Sequence, residues 1–140
     1  MSRADSISNV LSINDTGENG SHQAGMHIPK NDKILSFFPA LTKDEKNPRN
    51  SLTFTDSFKD KWIFNFIYYN NRFFGGTRNE YRLTGMTKFF KAHNLKAGDT
   101  LTLHRDIYGF YTVEYEQNEV LTQTENQVLR LGNTWKVVRI

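Results

Sequence analysis

Cysteine is absent from this 140-residue chain and proline occurs only three times. Without cysteine there is no disulfide framework, and a structural zinc site loses its usual thiolate ligands. No apolar run approaches the ~18 residues that a membrane-spanning helix needs. The N-terminus also lacks the basic-then-apolar pattern of a secretory signal. Together these absences lead us to expect a cytoplasmic protein with no membrane partner. Catalytic signatures are missing too: there is no Gly-x-Ser-x-Gly elbow, no Walker loop and no Gly-x-Gly-x-x-Gly. Of the four His, His22 and His27 stand five apart with no third ligand at a metal-binding spacing, so loop contacts are the better reading. His93 falls on an apolar helix face and reads as a packed structural residue. Asp56, Asp60 and Lys61 combine two carboxylates with a lysine, but in a loop before a strand, where such charges are expected to be solvated.

What is abundant is aromatic. Eleven Phe, six Tyr and two Trp rule out disorder, and a chain of this size can bury about two-thirds of its unfolded surface. The formal net charge of +3 hides a strong polarity. Arg72 to Lys96 carries +5, whereas Asp106 to Leu129 carries −5 with no Lys or Arg. A basic sector beside an acidic one suits a molecule that offers one face to a polyanion.

Met1 to Ser6 is polar and expected to fray. Strands are expected at Asn9–Ile13, Met26–Ile28, Leu52–Thr55, Trp62–Tyr69, Glu80–Thr84, Thr100–Arg105 and Phe110–Glu116. A hairpin around Gly132-Asn133 should close the chain, with Leu129, Leu131 and Trp135 to Ile140 as its strands. Trp62–Tyr69 is almost continuously apolar, the pattern of a central strand covered on both faces. Two short helices are expected: one capped by Asn31 or Asp32 and stopped by Pro39, the other carrying Met86, Phe89, Phe90 and His93. The total is about seven strands and two helices without βαβ alternation, a mainly β, antiparallel open barrel in a single domain.

Two polar loops interrupt this pattern. Asn14–Gly25 has loop composition over a length that is unusual for a compact domain. Asn70–Asn79 carries paired Asn and paired Gly and leads into Arg78-Asn79-Glu80-Tyr81-Arg82. Arg can donate two hydrogen bonds to guanine, Asn pairs likewise with adenine, and Glu can accept from cytosine. If the segment is extended, Arg78, Glu80 and Arg82 point to one side. The simpler reading is a surface ladder of charges, worth little in water.

Several segments carry a resemblance: Asn14-Asp15-Thr16-Gly17, His22-Gln23, Ile28-Pro29, Phe38-Pro39, Tyr68-Tyr69-Asn70 and Gly75-x-Thr77-Arg78-Asn79-Glu80-x-Arg82. Their order and spacing over Ser8 to Thr84 resemble the N-terminal DNA-binding domain of EcoRII-like type II restriction endonucleases. Leu95-Lys96-Ala97-Gly98-Asp99-Thr100-Leu101 and the turn at Gly109 resemble the wider DNA-binding pseudobarrel family, the B-three fold of plant transcription factors. The resemblance implies a seven-stranded open barrel that grips duplex DNA from the major groove with an N-arm, Asn14–Gly25, and a C-arm, Asn70–Arg82. It implies base contacts from His22, Gln23, His27, Arg78, Asn79, Glu80, Tyr81 and Arg82. Phosphate contacts would come from Asn14, Thr16, Asn70, Arg72, Gly76, Thr77, Lys88 and Lys91. The family's pattern has Tyr at His27, Lys at Gly76 and Lys at Tyr81; losing two lysines touches phosphate neutralisation more than base choice.

The same resemblance implies a target such as CC(A/T)GG or a related GC-rich site, read by a monomer in a bacterial or archaeal cytoplasm. The module itself would need no cofactor. In such enzymes it precedes a C-terminal nuclease domain that uses Mg²⁺; this chain is expected to be the non-catalytic module alone. The reading from another class is a protein- or ligand-binding barrel whose contact surface includes Phe73, Phe74 and Tyr81.

Overall fold

The structure, a computed structural model, describes residues 5–18, 24–118 and 134–139. Among these residues the backbone forms eight strands: β1 (Asp5–Val10), β2 (Gly25–Ile28), β3 (Arg49–Thr55), β4 (Lys61–Tyr69), β5 (Glu80–Thr84), β6 (Thr100–Arg105), β7 (Tyr111–Glu116) and β8 (Trp135–Arg139). Three short helices join them, α1 (Ile13–Thr16), α2 (Asp32–Leu35) and α3 (Thr87–Ala92), with a 3-10 turn at Asn71–Phe74.

The strands make one sheet in the order β2-β5-β4-β3-β7-β6-β1-β8. It consists of two antiparallel groups of four, joined by a short parallel seam in which Phe54 pairs with Tyr111 and Thr55 with Thr112. The sheet curls until its two outermost strands meet: Trp135 Nε1 on β8 donates to the carbonyl of His27 on β2 at 3.1 Å. Asn9 Nδ2 on β1 also reaches Met26 Sδ at 3.2 Å. Side-chain bonds, rather than a continuous ladder, close the gap, so the barrel is an open one.

The aromatic content explains the interior. Phe37, Phe54, Phe64, Phe66 and Phe89 are fully buried alongside Ile7, Met26, Ile28, Leu83, Met86, Leu101 and Leu103. Phe38 stacks on Phe66 with centroids 4.4 Å apart, and Phe37 meets Tyr111 at 5.6 Å. α2 is one turn long, capped by Asn31 Oδ1, which accepts from the Lys33 N–H at 2.9 Å. It serves mainly to deliver Ile34, Phe37 and Phe38 into the barrel mouth.

Several expectations are corrected. β1 starts at Asp5, not Asn9, and Ser6, expected to be frayed, is 1% exposed. The reason is that β1 is an interior strand between β6 and β8. It buries Ser6, Ser8 and Asn9, so hydrophobic alternation does not mark it. Ile13 belongs to α1, a helix not anticipated, started by a reciprocal cap: Ser12 Oγ accepts from Asp15 N–H at 3.1 Å and Asp15 Oδ2 from Ser12 N–H at 2.9 Å.

β3 begins at Arg49, three residues before the expected start at Leu52. β4 is central, but Ile63 is 62% exposed, so its outer face is not covered along its length. The described strand count is eight rather than seven. β8 agrees with the last expected strand, but its described partner is β1; Leu129, Leu131 and the Gly132-Asn133 turn lie outside the described residues.

Candidate nucleic-acid interface

The register of β2, β5 and β4 decides which side chains share a face. His27 pairs with Arg82, and Arg82 with Ile67; Thr84 pairs with Asn65, and Glu80 with Tyr69. Pairs directly opposite in an antiparallel ladder project to the same side. Glu80, Arg82 and Thr84 therefore line the outer face together with His27, Asn65 and Tyr69. Tyr81 and Leu83 have the other parity and turn inward. Tyr81 stacks on Tyr68 at 4.2 Å, nearly parallel, and burial pushes its hydroxyl pKa up.

Beyond β4 the chain folds into a closed loop. Gly76 N–H donates to Asn71 C=O at 2.8 Å and Arg72 N–H to Arg78 C=O at 2.9 Å. Gly75 takes a left-handed φ of 88°, and a Cβ on Gly76 would come within 2.9 Å of Asn71 Cβ. Arg72, Phe73, Phe74, Gly76, Thr77 and Arg78 are exposed on this loop. Asn70, expected to reach phosphate, is 1% exposed instead. Its Oδ1 accepts from Asn47 N–H at 2.7 Å and its Nδ2 donates to Glu45 C=O at 2.9 Å. A side-chain amide held on both ends ties the preceding connection to the loop and cannot also reach outward.

The Arg–x–Glu–x–Arg segment is only half a ladder. Arg78 donates from Nε and Nη2 to Glu80 Oε1, at 3.0 and 2.7 Å, and its Cζ sits 3.8 Å from the centroid of the Tyr69 ring. Arg78 remains about half exposed in this arrangement. Asn79 faces the other way, its Oδ1 accepting from Tyr68 O–H at 2.6 Å. The consecutive tyrosines thus grip consecutive residues of the loop's exit. Nothing in composition marks Tyr69 for this; the signal lay in the parity that pairs it with Glu80.

The first polar loop leaves β1 through α1, which carries Asn14 and Thr16, and packs beside β2. Asp15, on the same turn, is caged by Ser12 and Asn9. Desolvation raises its pKa above the usual 3.8, opposed by bonds from Ser12 and Asn9 and by the charge of Arg82. His22 and Gln23 lie outside the described residues. The loop returns at Ala24, whose N–H donates to Thr87 Oγ1 at 3.0 Å, fixing it to the start of α3. Lys88 and Lys91 are exposed on that helix.

The two loops therefore bracket the β2–β5 ribbon. One returns at Gly25 opposite Thr84, and the other enters at Glu80, beyond the Ile28–Tyr81 pair. At about 3.4 Å per residue, roughly 14 Å of strand separates the two feet. His27 and Arg82 stand on the outer face between them. Acidic Glu114 and Glu116 are on β7, with β3 and β4 between that strand and β5.

Two residues singled out in the sequence, Asp56 and His93, meet in one structural cluster, while Asp60 and Lys61 are exposed as expected. Asp56, expected to be solvated, is 6% exposed and accepts from Phe58 N–H, Asp60 N–H and Trp62 Nε1 at 2.8–2.9 Å. His93 Nε2 lies 3.3 Å from the Asp56 carboxylate, with the His93 ring among Trp62, Phe89 and Tyr115. Desolvation alone would push the Asp56 pKa up; the three bonds and His93 together outweigh it and hold it below 3.8. Among the described residues no three His, Cys, Asp or Glu side chains are placed to hold a metal ion.

Comparison with known proteins gives this geometry a context. The profile of a family described as restriction endonuclease EcoRII, N-terminal, matches residues 3–129. The type II restriction enzyme EcoRII of Escherichia coli is 41% identical over 96 residues, covering 66% of this chain and 24% of that enzyme. Auxin response factor 13 of Oryza sativa subsp. japonica is 42% identical over 64 residues, 46% of this chain and 11% of that protein. The chain thus spans a quarter or less of the curated relatives it matches. Among solved structures, an Arabidopsis FUS3–DNA complex superposes with a TM-score of 0.59 at 23% identity, covering 79% of this chain and 96% of that one. That likeness is one of fold, the B-three-type pseudobarrel.

Proposed function

The chain belongs to the family of EcoRII N-terminal domains, and from that premise we propose that it binds duplex DNA in a sequence-specific way. One observation carries the reading: Arg78, Glu80, Arg82 and His27 share the outer face of the β2–β5 ribbon, between two loops that stand at its ends. The ribbon enters the major groove, the loops act as N-arm and C-arm, and the charged row reads base edges. Arg78 and Arg82 contact guanine, with His27 beside them and His22 and Gln23 reading from the N-arm. Arg72, Thr77, Gly76, Lys88 and Lys91, with Asn14 and Thr16, hold the phosphate backbone, which fixes register without reading sequence.

The target is CC(A/T)GG or a related GC-rich site. The biological role is that of the target- or effector-recognition module of a type II restriction endonuclease, whose nuclease domain uses Mg²⁺. The module itself is non-catalytic and acts as a monomer in the cytoplasm. Phe73 and Phe74, 66% and 44% exposed, favour a second reading, a protein-binding loop.

A mobility-shift panel at near-physiological salt separates the two, because non-specific binding there is only about micromolar or weaker. A CC(A/T)GG duplex should be retarded before every single-base variant. Arg78→Ala should flatten the preference at one base pair by ~1–3 kcal/mol. Equal retardation across the panel would overturn specific recognition, and no retardation at all would favour the protein-binding loop.

A further inference from the structure

We propose that Tyr69 is a positioning residue for sequence reading: its ring holds the Arg78 guanidinium in the orientation that reads one guanine. The inference rests on the DNA-binding reading above and adds a residue which that reading leaves unused.

The geometry is specific. An arginine side chain has five N–H donors in a planar fork. Arg78 uses its Nε–H and one Nη2–H on the single oxygen Glu80 Oε1. The second Nη2–H and the Nη1–H parallel to it remain on the end of the fork, and the other Nη1–H points back toward Cδ. That end is the edge that donates in parallel to guanine O6 and N7. Glu80 fixes the rotation of the guanidinium within its own plane. It does not fix the tilt of that plane, because one carboxylate oxygen serves as a pivot.

Tyr69 supplies the missing constraint. Its ring centroid lies 3.8 Å from Arg78 Cζ, a stacking distance that covers one face of the plane. The support is itself held: Tyr69 stands on β4 directly opposite Glu80 on β5, so both groups that touch Arg78 come from one cross-strand pair. On the other side of the sheet Tyr68 O–H bonds Asn79 and fixes the backbone between Arg78 and Glu80. The Arg72 N–H bond to the Arg78 carbonyl closes the loop behind it. An exposed arginine normally gives up much rotamer freedom on binding. Here most of that ordering precedes the encounter with DNA.

A ring platform makes no hydrogen bond in this scheme, so phenylalanine should replace tyrosine and an aliphatic residue should not. The test measures binding of the full 140-residue chain to the preferred duplex, to single-base variants, and to duplexes with each guanine in turn replaced by 7-deazaguanine, which lacks the N7 acceptor. Wild type should lose 5- to 100-fold affinity at the guanine that Arg78 reads. Tyr69→Phe should keep that ratio within about 2-fold. Tyr69→Leu should reduce it to 3-fold or less while leaving affinity for unrelated duplex unchanged, since phosphate contacts are untouched. Thermal melts of both variants identify any loss of folding.

A second readout needs no DNA: the Arg78 Nε–H, assigned by NMR, should exchange with water more slowly in wild type and Tyr69→Phe than in Tyr69→Leu. If wild type shows no preference among duplexes, the DNA-specificity reading fails, and the exchange rates still decide whether the platform orders Arg78. If wild type discriminates but folded Tyr69→Leu discriminates equally well, or folded Tyr69→Phe is as impaired as Tyr69→Leu, the positioning role is overturned.

Discussion

At the scale of single residues, a pair of aspartates shows how the same local device acquires different weight. Asp56 and Asp106 both open a five-residue hairpin turn. In each, the carboxylate accepts from the backbone N–H groups two and four residues on. In each, the fourth residue has a left-handed φ, 68° at Lys59 and 85° at Gly109. Asp56 alone also holds Trp62 Nε1 and faces His93 out of water. Removing it strands partly buried donors, the Trp62 Nε1–H among them, whereas removing Asp106 leaves exposed donors that water can satisfy. Asp56→Ala should therefore cost about 3 kcal/mol and Asp106→Ala about 1 kcal/mol in denaturant titrations.

The pH dependence of Asp56 follows from its lowered pKa. Its ionised form is the one the fold favours, so its contribution is complete above the ordinary value of 3.8 and lost as pH falls through the lowered one. Wild type should lose stability more steeply than Asp56→Asn on acidification below about pH 4.

Elements position the interface through their parity and their ends. β5 has its charged residues on one face because Glu80, Arg82 and Thr84 alternate with Tyr81 and Leu83. That alternation was legible in the sequence for the charged trio, and it is the same alternation that takes Tyr81 away from the outer face. Gly25 is where the first polar loop rejoins the sheet, and a Cβ there would lie 2.7 Å from the main-chain oxygen of Leu83. A main-chain atom cannot rotate away, so Gly25→Ala must push β2 from β5. The expected cost is about 1–3 kcal/mol of stability, together with weaker DNA binding, on the proposed reading, as the foot of the first loop shifts. A Gly25→Ala protein with unchanged melting temperature and affinity would show that the ribbon yields without consequence.

For the whole molecule, the separation of charge along the sheet is the property that matters. Arg72, Arg78, Arg82, Lys88 and Lys91 occupy the second polar loop, β5 and α3, while Glu114 and Glu116 lie on β7, with β4 and β3 between. If DNA lies across the β2–β5 ribbon, the two sectors should respond differently to salt. Lys88→Ala should weaken all duplexes similarly and reduce the slope of log affinity against log salt by about one. Glu114→Gln, on the far group of strands, should leave that slope unchanged. Equal effects from both would place the DNA elsewhere.

Pattern and composition by themselves determined that this chain builds a mainly β barrel around phenylalanine, and that two polar loops and one charged strand carry its distinctive chemistry. Those features are local: alternation, turn residues and the clustering of charge are written within a few neighbours. Tertiary structure decided the rest. Ser6 and Asn9 are interior because β1 is flanked by strands nearly 100 or more residues away in sequence. Asn70 is interior because Asn47 and Glu45 return to meet it. Tyr69 stands against Arg78 because β4 and β5 pair in one register and not the next. Burial and partnership arise when distant segments meet, and a single side chain's type does not state which neighbour it will find.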